Sequence, residues 1–170
     1  MVAVGITGHR NLPAELAEQV SALLRAEIAA LDLGPGELVG VTCLADGADT
    51  LFAREILAHG GTLEVIVPAE QYRDGLPAAH HAIFDEILAM PTTVVHNLDY
   101  VESTSESYMA ASMLMLSLIA ELVAVWDGLP ARGYGGTADV VREARALQLP
   151  VRVVWPAGAV PRRRARGLLG

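Results

Sequence analysis

Lysine is absent from this sequence: all 12 basic residues are arginine. That excludes Schiff-base chemistry, a lysine nucleophile and the lysine of a Walker-type phosphate loop. Cysteine is nearly absent, and Cys43 alone can form neither an internal disulfide nor a Cys-x-x-Cys metal or redox motif. A reducing, cytoplasmic setting is the expectation. Long apolar runs are missing as well, although 52% of the residues are hydrophobic. The longest, Met109–Ala120, is interrupted by Ser112 and Ser117 and falls short of the roughly 18 to 20 residues that cross a bilayer. It reads as a buried helix, and no membrane partner is expected. No positively charged segment leads into an apolar stretch and cleavage site, because Val2–Thr7 already reads as a strand; secretion is not expected. An excess of basic charge is lacking too. The formal net charge of −8 predicts a field that disfavours polynucleotides, so nucleic acid is not expected as a partner.

What the sequence does contain is alternation. Short β-branched or apolar runs, Val2–Thr7, Leu38–Thr42, Leu63–Val67, Thr93–His96, Leu122–Trp126 and Val151–Val154, are separated by stretches of helical periodicity. Leu16, Val20, Leu23, Leu24 and Leu31 form one such stripe, after Asn11 and Pro13 as start signals. Phe52 with Ile56, Ile83, Phe84, Ile87 and Leu88, then Met109, Met113 and Leu116, then Val140, Val141, Ala144 and Leu147 repeat the pattern. It predicts an α/β fold, one three-layer α/β/α domain over residues 1–156 with a mainly parallel sheet of about six strands. Pro68–Pro77 and Asp99–Ser107 read as mobile loops. Residues 157–170, with Arg162, Arg163, Arg164 and Arg166, read as a disordered tail.

In open parallel sheets, ligands bind beyond the carboxyl ends of the strands. Three loops there carry chemistry. After the first strand, Thr7 offers a hydroxyl, Gly8 permits a tight turn, His9 stands at the mouth and Arg10 offers a bidentate fork to phosphate; an ordinary turn with a solvated arginine is the plain alternative. After the second strand, Asp46 and Gly47 precede a helix; Asp49 suits a capping role and Asp46 a contact to ribose hydroxyls. The third runs from Asp127 and Gly128 to Gly135, Gly136 and Thr137, where successive N–H groups and a new helix would cradle an anion.

Several other features read as structural. His80 and His81 are adjacent and so diverge on a helix, without further ligands at metal spacing; no metal and no resident cofactor is expected. Met109, Met113 and Met115 suit core filling. Tyr72 and Tyr134 suit either base stacking or loop shielding.

Gly5-Ile6-Thr7-Gly8-His9-Arg10, Ala45-Asp46-Gly47-Ala48-Asp49, and Val125-Trp126-Asp127-Gly128 followed by Gly135-Gly136-Thr137-Ala138-Asp139 together resemble the SMF/LOG (SLOG) superfamily of Rossmann-like proteins. The resemblance implies a Rossmann-like fold, frequent homodimers, and binding of nucleotides or their derivatives, such as ADP-ribose-like compounds or nucleoside monophosphates. Carried over, Gly8 and Arg10 match its first loop, Asp46 and Gly47 its second, and Gly135, Gly136 and Thr137 its phosphate loop. Members similar to cytokinin-activating phosphoribohydrolases carry Pro-Gly-Gly-x-Gly-Thr-x-x-Glu; here Val140 stands in place of the glutamate. The first expectation is therefore a binding or sensor protein for a phosphate-bearing nucleotide derivative. Alternatives are a nucleotide N-glycosidic hydrolase using Asp127, Asp139 or Glu102, and a non-catalytic scaffold subunit.

Overall fold

The six strands of the described residues are β1 (Val2–Gly8), β2 (Leu38–Thr42), β3 (Thr62–Val67), β4 (Thr93–Asn97), β5 (Glu121–Val125) and β6 (Val151–Val154). In the computed structural model, which describes residues 1–160, they form one sheet in the order β4-β3-β2-β1-β5-β6. Every pairing is parallel. The connecting helices are α1 (Ala14–Ala29), α2 (Ala48–Ala58), the single turn α3 (Tyr72–Gly75), α4 (Ala78–Leu88), α5 (Ser105–Leu118) and α6 (Thr137–Ala146).

The period-two geometry of a strand sends neighbours to opposite faces, and here both faces are covered. Leu38, Val4, Ile6, Val65 and Val125 join a core with Val20, Leu24 and Ile28 of α1, Phe52 and Ile56 of α2, and Phe84 and Ile87 of α4. Their neighbours Val39, Val41, Ile66 and Leu122 face Ala111, Met115 and Leu116 of α5 with Val140 and Ala144 of α6. A sheet buried on both sides needs apolar residues at successive positions, which explains the unbroken Val/Ile/Leu runs. Contact on the first face is close. A Cβ on Gly40 would lie 2.8 Å from Ile56 Cγ1 and 3.1 Å from Phe52 Cε1, so only glycine lets α2 settle on β2. Fully burying a side chain such as Phe52 contributes about 1.5–3 kcal/mol.

Some expectations need adjustment. Leu23 is exposed and Leu31 lies beyond α1, whose buried stripe is Val20, Leu24 and Ile28. Met113 likewise faces outward on α5. Pro68–Pro77 is not a loose loop. It contains α3, whose Tyr72 is buried, and Arg73 grips Asp85 of α4 through two 2.6 Å hydrogen bonds. The backbone N–H groups of Glu70 and Gln71 also donate to Tyr100 and Val101 carbonyls, fastening this segment to the one expected to be mobile after β4. Ala157–Val160 continue beyond β6 in a turn; the arginines of the expected tail lie outside the described residues.

Candidate functional site

The chain winds outward from β1 to β4, then returns through α5 to place β5 on the other side of β1. Helices before and after that return lie on opposite faces of the sheet, leaving a crevice where the carboxyl ends of β1 and β5 meet. This is the topological switch point at which open α/β sheets bind ligands. Gly8 pairs with Val125 there. A Cβ on Gly8 would lie 2.5 Å from Ala48 Cβ and 2.8 Å from Val125 Cβ, so the glycine serves the close approach of α2 and β5 to the end of β1.

His9 and Arg10 leave that strand end in different directions. His9 Nε2 meets the Asp127 backbone N–H at 3.3 Å and Asp127 Oδ1 at 3.2 Å, with its ring edge-on to Trp155 at 5.5 Å. Asp127 Oδ1 also accepts from the Leu129 N–H, and Arg132 approaches Oδ2 at 3.9 Å. Arg10 turns toward the second loop, where its Nε donates to Asp46 Oδ1 at 2.9 Å and an Nη lies 2.7 Å from the same oxygen. Burial disfavours the Arg10 charge, but the hydrogen bond and charge of Asp46 more than offset this and raise its pKa above the ordinary value. Asp46 Oδ2 accepts from the Asn11 N–H as well. Asp46 thus ties the first loop to the second, where a ribose contact was expected.

That second loop is held in an unusual shape. Leu44, fully buried, has φ +56°, a left-handed conformation disfavoured for leucine. Three contacts fix it: the Leu44 N–H donates to Thr42 Oγ1, His80 Nε2 meets the Leu44 carbonyl at 2.9 Å, and the Thr50 hydroxyl donates to the Ala45 carbonyl at 2.7 Å. His80 is therefore a loop brace, while His81 Nε2 binds the Leu76 carbonyl. Gly47, at φ +93°, is the residue before α2. Asp49 does not cap that helix. Its Oδ2 reaches back to accept from the Ala45 N–H at 3.2 Å. Burial is the main influence on this carboxyl, pushing its pKa up to about 6 against the pull of its hydrogen bonds and of Arg10.

The third loop ends in α6, as expected, at Thr137. Its glycine donors are partly committed. The Gly135 N–H donates to Asp139 Oδ2 at 3.0 Å and the Gly136 N–H to the Gly133 carbonyl at 3.2 Å. The N–H groups of Thr137 and Ala138, the first in the helix, take no partner among the described residues. Of the expected trio, only Thr137 thus keeps an uncommitted N–H, and Ala138 beside it adds a second at the helix start.

Two cavities flank this helix end. One, of about 190 Å³, is lined by Thr7, Gly8, Arg10, Cys43, Asp49, Tyr72, Tyr108, Ser112, Met115 and Gly135–Thr137 among others. The second, of about 370 Å³, is a groove along His9, Arg10, Asp127, Gly136, Thr137 and Ala138. Arg10 and the start of α6 belong to both. Of the three candidate acids, Asp127 lines the groove, Asp139 is engaged by Gly135 and Arg142, and Glu102 is exposed on the β4–α5 connection. Gly128 is exposed, and Asp46 and Gly47 border neither of these cavities. The residues missed from sequence are Asp49 as a cavity wall, Cys43 beside it, and Tyr108 and Ser112. The last two, with Met115, fall at i, i+4 and i+7 on one face of α5, a spacing that also fits core packing.

No family model and no curated protein matches the chain. Solved structures do. DNA processing protein A (DprA) from Streptococcus pneumoniae is 18% identical with a TM-score of 0.65, over 98% of this chain and 53% of that one, so the chain spans about half its length. DNA processing protein A from Helicobacter pylori is 18% identical with a TM-score of 0.66, over 94% of this chain and 68% of that one; its structure is described for a single-stranded DNA binding mode. TM1055 is 19% identical with a TM-score of 0.55, over 89% of this chain and 72% of that one. The expectation that nucleic acid is excluded does not stand, because a protein of this fold binds single-stranded DNA. Net charge sums over the whole surface, whereas a strand of nucleic acid answers to the local field and donors of the face it crosses. No helix of the described residues is long and apolar enough to cross a membrane. In its fold, this chain is a Rossmann-like α/β protein with a parallel sheet, similar to these solved structures.

Proposed function

We propose that the chain binds a phosphate-bearing nucleotide or nucleotide derivative, nucleoside monophosphate-like or ADP-ribose-like, in the crevice between β1 and β5. The observation that carries this reading is the position of the α6 N-terminus. Its two open N–H donors lie beside cavities that Arg10 also lines: Thr137 borders both, and Ala138 borders the groove. A phosphate seated there meets the positive end of the helix dipole and a permanently charged guanidinium, and its organic substituents extend into the cavities on either side. The loop bonds of Asp139 and of Asp127 favour binding over hydrolysis.

Thermal unfolding against AMP, ADP, ADP-ribose, NAD and GMP, with recovery of the ligand, tests this reading. Ligand at about 100 times its dissociation constant stabilises by about 2.7 kcal/mol. Recovery of intact ligand supports binding alone, and release of free base restores the hydrolase. Ala138→Asp places a carboxylate where the phosphate would sit yet suits a helix start, so it is expected to remain as stable as the parent and lose the ligand response. No response from the parent to any nucleotide refutes the proposal.

The likeness to DprA favours a second reading, in which the same donors hold a phosphate of single-stranded DNA. It predicts oligonucleotide affinity that falls steeply with salt and resists competition by mononucleotides.

A further inference from the structure

Hydroxyl-bearing residues converge on the 190 Å³ cavity. Tyr72 is only 3% exposed and lines it, yet its hydroxyl takes no hydrogen bond from the described residues. That hydroxyl is not closed off from solvent, so it can meet a molecule that enters the cavity. Thr7, Tyr108 and Ser112 line the same space, and their hydroxyls likewise form no hydrogen bond with the described residues. Tyr72 and Tyr108 stand edge to face at 6.0 Å and 71°. Ile6, Met115 and Val140 supply apolar wall between these groups, and Arg10 and Asp49 also border the cavity.

The volume limits what fits. Pockets for whole drug-sized ligands occupy roughly 300–1,000 Å³, so a cavity of about 190 Å³ takes one ring-sized part of a larger molecule. Apolar walls suit the faces of a flat heterocycle, and a ring of hydroxyls suits its edge, where donors and acceptors alternate. A sugar, with hydroxyls on all sides, matches the apolar walls poorly. We infer that this cavity is a nucleobase subsite, in which Tyr72, Tyr108 and Ser112 read the edge of a base whose phosphate lies at the start of α6. The inference rests on the nucleotide reading above and adds the residues that select among bases.

The test measures the affinity of the full chain for AMP, GMP, CMP and UMP, and separately for ribose 5-phosphate, by calorimetry. Tyr72→Phe and Ser112→Ala keep the cavity and remove one hydroxyl each; each is expected to weaken the preferred nucleotide about fivefold to tenfold and leave ribose 5-phosphate unchanged. Ser112→Phe fills the cavity and is expected to abolish the preference among bases, with circular dichroism confirming the fold. If all three variants bind every nucleotide like the parent, the base lies elsewhere and the inference falls while the nucleotide reading stands. If Ser112→Phe loses ribose 5-phosphate as well, the cavity holds the sugar phosphate and the inference again falls. If the parent binds neither ribose 5-phosphate nor any nucleotide, both fall together.

Discussion

Replacing Asp49 by asparagine is expected to stabilise the protein at neutral pH, although the aspartate makes a hydrogen bond that the structure uses. Burial raises the folded-state pKa of Asp49 from the ordinary 3.8 to about 6. The folded protein therefore holds this proton more tightly than the unfolded chain. Below about pH 3.8 both states are protonated and the group contributes nothing. As pH rises from there to about 6 the unfolded chain ionises first, and folding stability drains away; above about 6 the full cost of a buried carboxylate is present. A difference of roughly two pH units corresponds to about 3 kcal/mol. Asparagine keeps a carbonyl for the Ala45 N–H and has nothing to titrate. Urea unfolding of parent and variant at pH 4, 5, 6 and 7 isolates the effect, because every other group cancels in the difference. At pH 4 the unfolded carboxyl is already more than half ionised, so the variant's advantage should grow by about 2.5 kcal/mol from pH 4 to pH 7. An advantage that stays flat, or shrinks as pH rises, would refute the account of Asp49 as a carboxyl held against its ionisation.

Other perturbations have equally definite expectations. Gly47→Ala combines φ +93° with a Cβ 2.6 Å from the His9 carbonyl, and should cost about 2–4 kcal/mol in chemical unfolding. Gly136→Ala, at an extended φ of −74° with its nearest contact at 3.2 Å, should cost much less. His80→Ala removes the donor that restrains the Leu44 carbonyl; a loss of about 2–3 kcal/mol is expected, with faster amide exchange confined to residues 43–47. Phe52→Ala, at a fully buried site, should cost about 3–5 kcal/mol.

The fold was largely legible because the sheet is buried on both faces, so its strands appear as continuous β-branched runs; β2 and β6 match their expected bounds and the others differ by one residue at one or both ends. Helical faces were less legible. Leu23 and Met113 fit a 3.6-residue stripe as well as their buried neighbours do, and only packing decides which side of the stripe turns inward. The one-turn helix α3 is too short to show a period at all. At the site, sequence located the three loops but not their internal bonds. Asp46 and Asp139 lie near glycine-rich turns, where a carboxylate can serve a ligand or the backbone equally well; the geometry gives them to Arg10 and to Gly135. Tyr108 and Ser112 were hidden because a cavity wall and a core contact share the same helical spacing.

An all-parallel sheet also fixes where the molecule can be handled. Every strand ends on the edge that carries the crevice, so Met1, immediately before β1, lies at the opposite edge. Trp155, immediately after β6, packs against His9 at the crevice itself. A surface anchor, dye or fused reporter attached through Met1 leaves the ligand entrance open, whereas one joined close behind Trp155 stands at its threshold. Binding assays on immobilised protein therefore have a preferred orientation, and a label near Trp155 becomes a proximity reporter for whatever enters between β1 and β5.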